Sequence, residues 1–530
     1  MNHRTLASAV CLAWAAATPT AAFADADSCA ALASAAIENV TIDSAVLQPE
    51  GAPIEGANIA DASGQPAPVS GLPAFCRVIG SAQPEAGSRI GFEVWLPSDG
   101  DWEGRFIGGN NGGFAGYISY VDLAAAIRAG YASASTDTGH VGSSDLDSSW
   151  AKGRPALVRD YGWRGVHVTT VVAKELIREY YGRGPDHSYF IGCSNGGRQG
   201  LMEASRFPED YDGVIAGAPA WSLSAMASIF ISTVQAQLPD GAALTAQQTP
   251  LLQSEVMKQC DALDGQVDGV VSTPRACRLD TSALACGTVS ADTCFTAPQI
   301  AALEQIYEGQ RDRNGRRLAW GFFPSGHEAT PAVGWAEWMG LNEAAPTAHY
   351  QFARGWLQDL VQAPFATPET FDFERDLPKL EDAFATDLDV QPRLGPFFAR
   401  GGKLILWQGL ADAGVPAQLT QSLQRKLARN AGADNALRLF EAPGVLHCGL
   451  GNGPNQFGQS SAPPPGAAPE RNLAAALEAW VESDRAPSEV VGTYSAGAPD
   501  REALICAYPG RATLRNGADP NSAASYECSR

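Results

Sequence analysis

The chain has 530 residues, 45% of them hydrophobic and 18% charged, the make-up of a globular protein and not of a disordered or collagen-like one. Its 37 lysines and arginines stand against 58 aspartates and glutamates, a formal charge of -21 with no basic cluster. Nucleic acid and anionic membrane surfaces are therefore not expected as partners, since both are gripped by clustered cations.

Taken in chain order, residues 1–24 place Arg4 ahead of an apolar run from Leu6 to Ala17 and end in Ala22-Phe23-Ala24, the small-x-small pattern cut by signal peptidases. This predicts a signal peptide, an exported protein (periplasmic or extracellular) and a mature chain beginning near Asp25. The run falls short of the roughly 20 apolar residues that span a bilayer, so no membrane anchor is expected. Cys11 leaves with this segment, and ten cysteines remain, at 29, 76, 193, 260, 277, 286, 294, 448, 506 and 528. An even number in an exported chain reads as disulfides, five of them, and no C-x2-C pair suggests zinc instead.

Residues 91–220 alternate strand-like runs with helical stretches: GFEVWLP, RFIGGN, YASASTDTG, a helix near 164–180, HSYFIGCS and GVIAGAPA. That grammar predicts a mostly parallel sheet with crossover helices. It returns in KLILWQGLAD (403–412), a helix over about 417–431 and ALRLFEAP (436–443). Between them, residues 221–390 hold four cysteines, an Asp/Gly-rich loop and many aromatics. The expectation is an α/β-hydrolase fold made of residues 25–220 and 391–530, with 221–390 inserted as a lid.

Gly192-Cys193-Ser194-Asn195-Gly196 is a G-x-S-x-G motif set between the strand-like Ser188-Tyr189-Phe190-Ile191 and the helix-compatible Arg198 to Phe207. A nucleophile on a sharp strand-to-helix turn exposes its hydroxyl above the sheet, and small neighbours permit the turn. The same turn aims the Asn195 N–H at a developing oxyanion. A second oxyanion donor is expected from the glycine-rich run 108–113, from Gly112 or Gly113, with Gly112 the first choice. Serine needs a histidine to take its proton and a carboxylate to orient that histidine. Of the mature chain's histidines, only His447 follows the last strand, where the order Ser, Asp, His requires it. Asp412, in the loop after LILWQG, is the carboxylate; Asp389 and Asp434 are misplaced for the role. The catalytic set is therefore Ser194, Asp412 and His447. No H-E-x-x-H pair supports a metal-dependent hydrolase, and a catalytically inactive binding module on the same fold is the alternative from another class.

With a cysteine directly before the serine and another directly after the histidine (Cys193-Ser194, Asp412, His447-Cys448), the chain resembles the tannase and feruloyl esterase family, which also includes mono(2-hydroxyethyl) terephthalate hydrolase. The resemblance runs from GNNGGFAG and STDTGH through GCSNGGRQG to GGKLILWQGLAD. It implies a disulfide between Cys193 and Cys448, and a small-molecule aromatic ester as substrate. It also implies one calcium ion in the lid, held by the side chains of Asp261, Asp264 and Asp268 and the carbonyls of Gln266 and Val270. These are hard oxygen donors suited to calcium, though not in an EF-hand pattern. The remaining pairs follow from proximity and resemblance as Cys260 with Cys277, Cys29 with Cys76, Cys286 with Cys294, and Cys506 with Cys528. In such a lid Trp335, Trp338, Phe352 and Trp356 would wall the acyl pocket. Arg354 is the candidate cation for a free carboxylate, should the substrate be the terephthalate monoester.

Overall fold

The computed structural model describes residues 26–529 apart from 61–64, 99, 288–292, 332–333, 341–346, 363 and 495–500. The signal peptide expected over residues 1–24 lies outside the described residues. One nine-stranded sheet organises the chain. Its strands are β1 (Val40–Gln48), β2 (Phe75–Ala82), β3 (Ile90–Pro97), β4 (Arg105–Gly108), β5 (Ala132–Thr136), β6 (His187–Cys193), β7 (Gly213–Gly217), β8 (Lys403–Gly409) and β9 (Leu437–Ala442). They lie in the order β1-β2-β3-β5-β4-β6-β7-β8-β9. From β5 to β9 every neighbour is parallel, whereas β1, β2, β3 and β5 pair antiparallel. The sheet is thus more mixed than the sequence suggested, because β1 and β2 extend it by antiparallel pairing, which needs no crossover helix, and β3, within the stretch expected to be parallel, also pairs antiparallel with β5.

The parallel half explains its own sequence. β7 is buried at every residue and β6 at all but its ends, as strands covered by helices on both faces must be. The covering helices that matter for the site are α1 (Gly165–Tyr181), entered through a π-helical turn at Asp160–Arg164, and α2 (Asn195–Arg206), which leaves the end of β6.

Between β7 and β8, residues 218–402 add no strand to this sheet among the described residues. They form helices instead, notably α3 (Leu223–Ala236) and α4 (Ala348–Gly355). α3 opens on a Ser222 cap that accepts from Ala225 N–H, and it carries no charged residue. A helix of that kind must be enclosed. It is: Phe230 stacks on His349 of α4 at 3.8 Å and on Trp356 at 5.4 Å. α5 (Ala417–Leu427) then follows β8. All five disulfides are formed, Cys29–Cys76, Cys193–Cys448, Cys260–Cys277, Cys286–Cys294 and Cys506–Cys528. No described helix is long and apolar enough to cross a membrane.

Candidate active site

β6 ends at Cys193 and α2 begins at Asn195, which leaves Ser194 alone in the turn at φ 61° and ψ -122°. A non-glycine residue there costs of order 1–3 kcal/mol and persists only where its surroundings fix it. Here the Ser194 N–H donates to the Gly217 carbonyl at 2.9 Å, and the Ser194 carbonyl accepts from Arg198 N–H at 3.1 Å and Ala220 N–H at 3.2 Å. The flanking glycines are forced by space: a Cβ on Gly192 would lie 2.5 Å from the Gly196 carbonyl, and one on Gly196 would lie 2.2 Å from Asn110 Oδ1.

His447 leaves the short strand Val445–Leu446 and is followed by Cys448, itself at φ 58°. Its Nδ1 lies 3.0 Å and 2.9 Å from Asp412 Oδ1 and Oδ2. Asp412 is buried in the loop after β8, and three groups fix its carboxylate. Gly414 N–H and Val415 N–H donate to Oδ1 at 2.7 Å and 2.9 Å, and the Gln408 side chain donates to Oδ2 at 3.2 Å. Gln408 is aimed in turn by the Thr420 hydroxyl, which donates to its Oε1 at 2.6 Å. The Asp412 loop therefore presents one carboxylate orientation to the imidazole.

Ser194 and His447 line a common pocket with Gly113, Asn195, Tyr161, Met226, Phe230, Trp338, Phe352 and Trp356. Trp338 stands edge-on to the His447 ring at 4.9 Å. A Cβ on Gly414 would meet both, at 2.8 Å from Trp338 and 3.1 Å from His447. Three of the four aromatics singled out from the sequence thus reach the pocket. Trp335 does not; it is buried, packed beside Tyr307 at 5.3 Å. Arg354 does not line the pocket either, and its guanidinium is part-exposed with Asp359 3.8 Å away.

Of the two glycines expected as oxyanion donors, Gly113 and not Gly112 lines the pocket. The Gly112 N–H donates to the Tyr117 hydroxyl at 2.7 Å and is spent there. The turn then passes through Gly113 at φ 48°, and it is Gly113 that borders the pocket. The amides of Gly113 and Asn195 have no acceptor among the described residues, so both remain available to a ligand. One pocket residue carried no sequence signal: Tyr161, placed by the π-helical turn. Met226 and Phe230, four apart on α3, could have been found as one helix face.

Two further histidines, His349 and His140, are buried with partners of their own. His349 is fully buried between the Ala413 carbonyl at 3.0 Å and the Thr233 hydroxyl at 2.7 Å, and burial pushes it down to about 3. His140 stacks on Trp150 at 3.7 Å and is pushed down to about 4 by burial.

The loop proposed for calcium wraps its carboxylates around its own amides. Asp261 accepts from Gly269 N–H at 3.2 Å and Asp268 N–H at 3.4 Å, Asp264 from Gln266 N–H at 2.9 Å, and Asp268 from Val270 N–H at 3.1 Å. The second oxygen of Asp268 pairs with Arg501, and the Gln266 side chain accepts from the Tyr526 hydroxyl at 3.2 Å. Burial, and with it the adjacent charges of Asp268 and Asp261, raises Asp264 above the usual carboxylate range. These carboxylates are thus held by the loop's own amides, and Asp268 also by Arg501.

The tannase and feruloyl esterase family profile matches residues 76–529. An uncharacterised esterase of Xanthomonas campestris pv. campestris is 34% identical, over 94% of this chain and 91% of its own. A mono(2-hydroxyethyl) terephthalate hydrolase of Piscinibacter sakaiensis is 30% identical, over 90% of this chain and 88% of its own. The crystal structure of feruloyl esterase B from Aspergillus oryzae superposes with a TM-score of 0.83 at 28% identity, covering 95% of this chain and all of that one. With esterases among relatives and structural neighbours alike and a match across most of its length, this α/β-hydrolase-fold protein is an esterase, and the chain belongs to the tannase and feruloyl esterase family.

Proposed function

We propose that the protein hydrolyses aromatic acyl esters of the feruloyl or galloyl type through Ser194, His447 and Asp412. One observation carries the reading: Ser194, held in a left-handed turn, shares an aromatic-walled pocket with a histidine whose far nitrogen rests on a fixed carboxylate. In this reading Ser194 Oγ attacks the ester carbonyl carbon while its proton passes to His447 Nε2. Asp412 keeps the imidazole in the tautomer that can accept it. The tetrahedral oxyanion is met by the N–H groups of Asn195 and Gly113, at the positive end of α2. When the ester C–O bond breaks, the leaving alkoxide takes the proton from His447 and an acyl-Ser194 remains. Water, deprotonated by the same histidine, releases the acid and restores the serine.

The lid, residues 221–390, contributes Phe230, Trp338, Phe352 and Trp356 to the acyl pocket, and flat aromatic walls favour a flat aryl acid over a short aliphatic one. Among the described residues of this lining none is cationic, with Arg354 outside it, which favours feruloyl or galloyl esters over a terephthalate monoester, whose free carboxylate would go unpaired. Calcium would be held by Asp261, Asp264 and Asp268 with the carbonyls of Gln266 and Val270, fixing the lid loop and playing no part in the chemistry. Five disulfides and the leader-like residues 1–24 support export to an oxidising compartment. The test is a panel of methyl ferulate, methyl gallate, the terephthalate monoester and ethyl butyrate, run on the wild type and on Ser194→Ala. The reading predicts the highest kcat/KM for methyl ferulate or methyl gallate and none above background in the variant. Preference for the terephthalate monoester or for ethyl butyrate would overturn the substrate assignment.

A further inference from the structure

Arg198 lies in the first turn of α2, four residues after Ser194, and is wholly buried. Taking a charge out of water costs several kcal/mol unless polar partners surround it, and among the described residues no carboxylate forms an ion pair with this one. Its N–H groups go to neutral oxygens instead. Nε donates to Asn195 Oδ1 at 2.8 Å, Nη2 to the Tyr161 carbonyl at 3.0 Å, and Nη1 to the Gly162 carbonyl at 2.8 Å and the Leu388 carbonyl at 3.3 Å. The guanidinium also lies over the Tyr161 ring, 4.8 Å from its centre.

Two routes lead from this fork to the oxyanion donors. The first is short: Asn195, whose amide is one donor, has its side-chain oxygen fixed by Arg198, and its Nδ2 donates to the Asn111 carbonyl at 3.3 Å. The second runs through the π-helical turn, where Arg198 holds the Tyr161 backbone and the Tyr161 hydroxyl donates to the Gly113 carbonyl at 3.1 Å. Both routes end on the turn at residues 111–113, which carries the other donor. The π-helical turn is also pinned from outside, since a Cβ on Gly162 would lie 2.1 Å from the Asp387 carbonyl.

We propose that Arg198 is a positioning residue for ester hydrolysis, holding the Asn195 and Gly113 amides at one fixed separation through the Tyr161 turn. This rests on the assignment of Ser194 and its two oxyanion donors. A planar fork of donors matches carbonyls diverging in several directions, which a lysine ammonium on a flexible stem cannot reproduce. Because the oxyanion exists only in the transition state, loosening these donors lowers kcat and leaves KM nearly unchanged.

The experiment compares Arg198→Lys, Tyr161→Phe and the double variant on methyl ferulate, with near-UV circular dichroism as the check on folding. Misplacement of donors by about 1 Å costs about 100-fold, so Arg198→Lys should lose about that factor in kcat with KM within about threefold of wild type. Tyr161→Phe, which removes only the hydroxyl on Gly113, should lose about tenfold in kcat. The double variant should fall no further than Arg198→Lys alone, because both changes cut one network. Wild-type kcat in the folded single variants, or a raised KM with kcat intact, would overturn the proposal. Should Arg198→Lys fail to fold, wild-type kcat in Tyr161→Phe alone overturns it. Ser194→Ala run alongside separates the two claims: turnover surviving there sinks the nucleophile assignment, whereas a dead Ser194→Ala beside fully active Arg198 and Tyr161 variants sinks only the role of Arg198.

Discussion

Replacing both Cys193 and Cys448 by alanine removes a bridge that is one residue from Ser194 on one side and one residue from His447 on the other. It spans 255 residues, against 22 for Cys506–Cys528. Loop-closure entropy alone gives about 5 kcal/mol for the long loop and about 3 kcal/mol for the short one. At about 2 cal/mol/K of unfolding entropy per residue, these correspond to melting temperatures lowered by roughly 5 °C and 3 °C. A bridge acting only as a staple would therefore separate the two variants by little. The local geometry predicts a larger difference in rate. Ser194 at φ 61° and Cys448 at φ 58° are both held in sparsely populated backbone conformations, and the bridge joins the two strained turns directly. Released, either turn can relax, and a shift of about 1 Å between nucleophile and base costs about 100-fold in turnover. Methyl ferulate hydrolysis at 25 °C, well below both melting transitions, should show kcat lowered by about that factor in the Cys193/Cys448 variant and by less than about twofold in the Cys506/Cys528 variant. Equal losses in the two, or a Cys193/Cys448 variant with wild-type kcat, would refute the positioning argument.

Chelation should lower the melting temperature and added calcium restore it, because a ligand bound only by the folded state stabilises it by mass action. In Asp264→Ala the calcium effect should vanish, and elemental analysis of the native protein checks for the ion independently. His349 has a folded-state value of about 3, below the roughly 6.5 of an unfolded chain. The unfolded state therefore takes the proton first, and the stability that a neutral His349 supplies is complete above about pH 6.5 and lost as pH falls towards 3. Between pH 7 and pH 5 the wild type should lose about 2 kcal/mol more than His349→Gln in urea unfolding; parallel losses would count against it. Phe352→Ala should reduce kcat/KM for methyl ferulate far more than for ethyl butyrate, and an equal reduction would show that the ring does not contact the acyl group.

The parts of the site set by local chain geometry were legible in the sequence. Gly192 and Gly196 are needed because backbone and Asn110 crowd them, and such contacts leave the same residue types wherever the turn occurs. Asp412 and His447 follow from their order after the last strands. The parts set by packing between distant segments were not legible. Gly112 and Gly113 are chemically identical, and only the turn through Gly113 and the hydroxyl of Tyr117 decide which one faces the pocket. Trp335 and Trp338 are three residues apart, yet only one reaches His447. Tyr161 enters through a π-helical turn that no spacing rule anticipates, and nothing in the sequence marks Arg198, at the start of a helix-compatible stretch, as completely buried. The antiparallel strands β1 and β2 carry no motif and were outside the expected parallel pattern.

The measurement that bears most directly on the central claim is fluorophosphonate labelling of the purified protein, read by peptide mass spectrometry alongside methyl ferulate hydrolysis. One label per chain on Ser194, with activity lost in proportion and no label on Ser194→Ala, is the predicted result. Full loss of activity with Ser194 unlabelled, or Ser194→Ala retaining more than about a hundredth of wild-type turnover, would contradict it.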